Sequence, residues 1–239
     1  MNNLNITSSE KTSHKNCITT NFIKTTISTL LLFLVSAQVL YAYEPGDWFV
    51  RLGPAWIEPN DDSNDIEGIP GAELSVDNDV TLGFTIGYML TNHIAIELLG
   101  ITPSSHDING RGTVSSLGKV ADVDVFPPTL SLQYHLKNSS SIQPYVGIGV
   151  NYTHFSSANA TSSLETALGG DTDIDIDDSW GLAGQVGADI AINDSWNFNA
   201  AIWYIDIDAD ATLETNGVSR DVDIDVDPWV FFIGIGKTF

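Results

Sequence analysis

Aspartates spaced two apart are the residues of this chain with the most chemistry in them. Asp122 and Asp124, then Asp171, Asp173, Asp175 and Asp177, then Asp206, Asp208 and Asp210, then Asp221, Asp223, Asp225 and Asp227 form four such runs, with Val and Ile filling most alternate places. A period of two belongs to a strand, so each run puts its carboxylates on one face. Neighbouring like charges repel unless a hard cation with oxygen ligands relieves them. Asp206, Asp208, Asp223 and Asp225 are therefore the candidate calcium ligands. A solvated acidic surface that keeps the molecule soluble at its rim, and the steering of a cationic partner, explain the same pattern. An EF-hand is excluded, because a loop starting at Asp171 has Ile176 in place of the required glycine and Leu182 in place of the closing glutamate.

Other chemistry is sparse. Catalysis by a nucleophile needs a base beside it, and beyond the N-terminal segment the imidazoles are His93, His106, His135 and His154. No G-x-S-x-G, H-E-x-x-H or phosphate-binding glycine loop is present, so no enzyme and no cofactor other than calcium is expected. With 31 acidic against 9 basic side chains and a formal net charge of −22, the chain has no basic patch for nucleic acid.

The elements that must hold these residues begin with an export signal. Lys11, Lys15 and Lys24 precede a short apolar core around Leu30 to Leu34, and Ala42 offers a small residue for cleavage before Tyr43. Residues 1–42 are expected to be removed, leaving 43–239 as one domain with six basic and thirty acidic side chains. Cys17 lies ahead of the apolar core and cannot be a lipoprotein anchor. After the signal, eight runs of about ten residues alternate with a period of two: Asp47 to Ile57, Val80 to Met89, Ile94 to Ile101, Pro128 to Leu136, Pro144 to Phe155, Trp180 to Ile190, Trp196 to Ile207 and Trp229 to Phe239. Connections alternate between short turns and segments of about twenty residues, the habit of barrels that cross the outer membrane with short periplasmic turns and long extracellular loops. The predicted fold is all-β, an eight-stranded antiparallel transmembrane barrel.

Parity assigns the faces. Leu82, Phe84, Ile86 and Tyr88 oppose Thr81, Gly83, Thr85 and Gly87, and the apolar set must face lipid; Trp196, Phe198 and Tyr204 supply girdle aromatics. Phe239 is the expected assembly signal, read by the barrel-assembly machinery as the strand that closes the seam. The inward set is then polar near the periplasm and apolar above. Arg51, Glu97 and Gln185, joined by Asp189, would form a polar plug built on an ion pair, because a buried guanidinium needs a carboxylate. Leu99, Ile101, Trp203, Ile205, Ile207, Val230 and Phe232 would line an apolar channel. Such a lumen suits greasy solutes better than water.

The segments Gly46 to Gly53, Pro127 to Leu130, Pro144 to Thr153, Asp178 to Gly181, Trp203 to Asp208 and Asp227 to Phe231 together resemble the outer-membrane protein W (OmpW) family over essentially all of residues 43–239. The resemblance implies an eight-stranded barrel in the bacterial outer membrane whose narrow hydrophobic channel takes up small hydrophobic molecules, with lateral release into the bilayer. Expected partners are outer-membrane lipid, lipopolysaccharide, whose phosphates calcium would bridge to the aspartates, and small hydrophobic solutes. The competing function is a structural, adhesive or receptor barrel acting through its acidic extracellular loops. Two features depart from the family pattern: the aspartate content, and Lys237 at an outward position where an aromatic is commoner.

Overall fold

The computed structural model describes residues 43–136 and 140–239; the expected signal segment, residues 1–42, lies outside them. Among the described residues there are fifteen strands: β1 (Trp48–Glu58), β2 (Asp62–Ser63), β3 (Ala72–Val76), β4 (Asp79–Met89), β5 (Ile94–Ile101), β6 (Ser104–Gly112), β7 (Lys119–Phe126), β8 (Thr129–His135), β9 (Ile142–Ala160), β10 (Thr172–Ile176), β11 (Ser179–Ala191), β12 (Trp196–Ile205), β13 (Asp208–Thr215), β14 (Val218–Asp225) and β15 (Trp229–Thr238). One α-helix, α1 (Ser162–Leu168), and a short 3-10 turn, Ser115–Leu117, join them.

Eight strands close a barrel in the order β11, β12, β15, β1, β4, β5, β8, β9, with β9 returning to β11. They are the eight expected from alternation, each within a few residues. Every pairing is antiparallel, and closure leaves no free edge in the barrel wall, the condition a sheet must meet in hydrocarbon. Burial alternates along β1 without exception. Trp48, Val50, Leu52 and Trp56 face out, while Phe49, Arg51, Ala55 and Ile57 face in.

Closure between β1 and β15 depends on a glycine. A Cβ on Gly53 would lie 2.0 Å from the Ile233 carbonyl oxygen, a backbone atom that cannot step aside. Lys237, the outward residue at odds with the family pattern, lays its ammonium 4.6 Å from the Phe239 ring centre and 5.4 Å from that of Trp196, so aromatic faces cover the charge at the periplasmic rim.

The four long connections are more ordered than simple extensions of the barrel strands. The upper half of β9 leaves the barrel and pairs with β7, then β6, then β3. Strands β10, β13, β14 and β2 form a second four-stranded sheet. Helix α1 starts at Thr161, whose hydroxyl accepts from the Leu164 amide, and stops at Gly169 in the left-handed region. These pieces share a hydrophobic core that includes Ile66, Leu74, Val120, Leu164, Leu213 and Val222. The aspartate runs sit on this cap with Ala, Val, Ile and Leu turned inward and carboxylates turned to solvent. The second run, Asp171 to Asp177, reverses parity relative to β11 without any bulge within a strand. Strand pairing lapses at Asp177 and Asp178, and the two residues reset which face points in.

Candidate functional site: a capped lumen in three layers

The lumen is stratified, and the lowest layer departs from the sequence expectation. At the periplasmic end Tyr43, Phe49, Met89 and Ala95 form a buried apolar cluster, where only polar groups were anticipated. Phe49 fits because Gly87 opposite has no side chain; a Cβ there would sit 2.0 Å from the ring. Tyr43 precedes the first strand, so no alternation could reveal that its ring turns into the mouth.

Above this stopper lies the polar layer. Arg51 is 1% exposed and bonds Asp189 through Nε (3.0 Å) and Nη2 (2.7 Å), the fork geometry that matches a carboxylate. Its Nη1 bonds Glu97 Oε2. Tyr43 donates its hydroxyl to Asp189 at 2.9 Å, and Asn199 donates to Asp189 at 2.9 Å and to the Tyr145 hydroxyl at 3.0 Å. Gln185 donates to Glu97 (3.4 Å) and accepts from Gln133 (3.3 Å), whose amide oxygen meets His135 Nε2 at 2.9 Å. The structure thus brings Arg51, Glu97, Gln185 and Asp189 together and adds Gln133, His135, Tyr145 and Asn199. Those four occupy inward positions in the alternation, so parity could have found them. One cation shared by two carboxylates leaves the cluster with one formal negative charge.

The third layer is apolar. Leu99, Ile101, Trp203, Ile205, Ile207, Val230 and Phe232 are all buried there, with Trp203 and Phe232 edge to face at 6.1 Å between ring centres. Glycines make the space. Gly234 borders Phe232 and Gly187 borders Tyr145, each closer than a methyl group could come, and Gly83 borders Phe232 where a methyl would be tight. Over this floor opens a cavity of about 250 Å³, bounded below by Ile205 and Val230 and above by cap residues such as Leu74, Val120, Leu164 and Leu213. Its wall is hydrocarbon apart from His106 and Asp122.

The outer carboxylates are arranged in register. Asp208 faces Asp225 and Asp210 faces Asp223 across β13 and β14, while Asp62 of β2 faces Asp225 from the other side. Of the four expected calcium ligands, Asp206 and Asp208 converge with Asp227, their oxygens within 4.8 Å of one another; Asp223 and Asp225 are not in that trio. Asp227 is also engaged locally, accepting from the Tyr204 hydroxyl at 2.8 Å and the Ile207 amide at 3.2 Å. Burial, then the neighbouring aspartates, raises the Asp208 carboxyl above the usual aspartate range. His154, on the outer wall, meets Asp178 at 2.7 Å, and His93 meets the His135 carbonyl at 3.0 Å.

Residues 44–239 match the family model described as OmpW family. The chain belongs to that family. It is 39% identical over 220 residues to outer membrane protein W of Vibrio cholerae, covering 91% of this chain and all of that protein. The OmpW-type barrel is shared with the crystal structure of outer membrane protein OprG from Pseudomonas aeruginosa, at a TM-score of 0.76 and 39% identity, covering 83% of this chain and 98% of that one. A more distant relative is the dibenzothiophene metabolism operon protein PahQ of Pseudomonas aeruginosa, 27% identical over 172 residues, covering 72% of this chain and 77% of PahQ. The protein is an outer-membrane barrel of the OmpW family, and its apolar outward band faces lipid.

Proposed function

We propose that this protein is a passive conduit through which small hydrophobic molecules leave the extracellular medium and enter the outer membrane. The observation that carries the reading is the apolar cavity of about 250 Å³ between the cap sheets and a barrel floor that includes Ile205, Ile207 and Val230. A monomer has little reason to keep such a hollow unless something apolar fills it. The PahQ name adds support, since dibenzothiophene is a greasy fused-ring compound. A straight path to the periplasm would cross the Arg51 cluster and the Tyr43 stopper, both unfavourable for hydrocarbon. Sideways exit avoids both, and the prolines at the top of the barrel wall, Pro127, Pro128 and Pro228, withhold the backbone donors that would otherwise bind neighbouring strands there.

Reconstituted vesicles provide the test. Protein-bearing liposomes should take up fused-ring aromatics faster than empty ones, and Ala211→Trp, which fills the cavity from its wall, should remove the difference. Equal rates in loaded and empty vesicles, or full activity in Ala211→Trp, would end the reading. A surface barrel that acts through its loops is the other reading the structure supports, on the strength of the outward acidic face of β13 and β14. It expects the Ala211→Trp barrel to keep every function in the cell.

A further inference from the structure

Among the described residues, Arg220 is out of keeping with the other cations. Arg51 is bound by Glu97 and Asp189, Arg111 pairs with Asp61 at 3.5 Å, Lys119 pairs with Asp107 at 2.6 Å and Asp122 at 3.3 Å, and Lys237 rests on aromatic rings. Among the described residues no carboxylate pairs with Arg220, although acids outnumber bases several-fold. Its Nη1 is buried and has no hydrogen-bond partner. A guanidinium cannot shed its charge, and a buried donor without an acceptor costs more than the bond itself is worth.

The orientation of Arg220 links that unspent donor to the cavity. On β14 the inward row runs Arg220, Val222, Ile224, while Asp221, Asp223 and Asp225 face out. Arg220 stands directly across from Leu213 on β13. Leu213, Val222 and Ile224 all line the cavity; Arg220 is not one of its lining residues, but it is the next inward position on β14 beyond Val222. The polar groups of the wall itself are already engaged. His106 is held between the Ser104 hydroxyl (3.0 Å) and the Asp77 carbonyl (3.4 Å), and Asp122 is bound by Lys119 and Asn159.

We infer that Arg220 is an anion anchor at the edge of the apolar cavity, and that the ligand it selects is a fatty acid of short to medium chain, tail in the cavity and carboxylate on the guanidinium. This rests on the cavity being the path of the ligand, as proposed above. A carboxylate matches the guanidinium fork, and the rest of such a molecule matches the hydrocarbon wall. The cavity volume lies just below the usual range for ligand pockets, about 300 to 1,000 Å³, which favours chains near ten carbons over long ones. The outward aspartates occupy the opposite face of the same sheet, so they do not compete for the anchor.

Equilibrium binding of decanoate and 1-decanol to the full barrel in lipid nanodiscs, with empty nanodiscs subtracted, separates the outcomes. Arg220→Gln should weaken decanoate about tenfold while leaving decanol within about twofold. Arg220→Lys, which keeps the charge, should retain most decanoate affinity and guards against a variant that merely misfolds. Unchanged decanoate binding in Arg220→Gln, or equal loss of acid and alcohol, overturns the anchor and leaves the conduit standing. If wild-type barrel binds neither probe, the conduit fails as well.

Discussion

Removing Arg51 should be the most damaging single change to the barrel interior. Its guanidinium is 1% exposed and reaches Asp189 by two bonds of 3.0 and 2.7 Å, and Glu97 by a third, while both carboxylates are fully buried. Arg51→Leu keeps much of the volume but leaves two uncompensated carboxyls in the lumen. Breaking a buried pair from one side costs roughly 3 to 5 kcal/mol, a factor of more than about a hundred in the folding equilibrium. Three conservative changes made together, Arg51→Met with Glu97→Gln and Asp189→Asn, remove every charge at once, and most of the loss should be recovered. Urea titration of the barrel in lipid vesicles, read by the heat-dependent shift in gel mobility that folded barrels show, measures both variants. An Arg51→Leu midpoint within about 1 kcal/mol of wild type would refute the reasoning, because no buried charge would then have been stranded. So would a triple variant less stable than the single one.

Gly53→Ala should prevent closure of β1 on β15, since its methyl group meets a backbone oxygen; folding yield in vesicles should collapse, whereas Gly184→Ala, which meets nothing within 4 Å, should fold normally. Asp208→Asn should stabilise the cap by a few tenths of a kcal/mol near neutral pH by removing a like charge opposite Asp225, seen as slower proteolysis of the long connections. Because the folded state raises the Asp208 carboxyl pKa, its ionisation weakens the cap as pH rises through that value, so the advantage of Asn should shrink in acid; an advantage that grows in acid would contradict this. Calcium should raise the melting temperature of the wild-type cap and do so less in Asp208→Asn, given the meeting of Asp206, Asp208 and Asp227; no shift in either protein would dispose of a cation there.

The barrel was legible in the sequence because it obeys a period of two under one strong constraint: hydrocarbon outside. Alternation such as Leu130, Leu132, Tyr134 against Ser131, Gln133, His135 leaves only one register that a bilayer tolerates. The same parity brought Arg51, Glu97 and Gln185 to one layer and Trp203, Val230 and Phe232 to another. What parity cannot supply is partner geometry between strands distant in sequence. Asp189 bonding Arg51 across the lumen follows from closure and strand stagger, and neither is written in any one strand. The cap was less legible, since its strands are short and polar on one face, and β10, β13 and β14 read as prolongations of barrel strands. One signal for the cap was present: Asn216-Gly217, both with positive φ, makes the tight turn joining β13 to β14. Tyr43 left no such mark, because a residue outside a repeating element carries no periodicity.

The aromatic rows fix the thickness of bilayer this barrel can occupy. Trp48 and Trp196 stand at one end of the lipid-facing band, and Trp56, Trp180 and Trp229 at the other. Allowing for strand tilt, Trp48 and Trp56 of β1 are separated by about 20 Å along the membrane normal. Just beyond the upper row come Asp178, Asp206 and Asp227, which hydrocarbon will not admit. The barrel therefore carries its own depth gauge, suited to a thin bilayer; thicker lipid must pinch inward around it or draw carboxylates into oil.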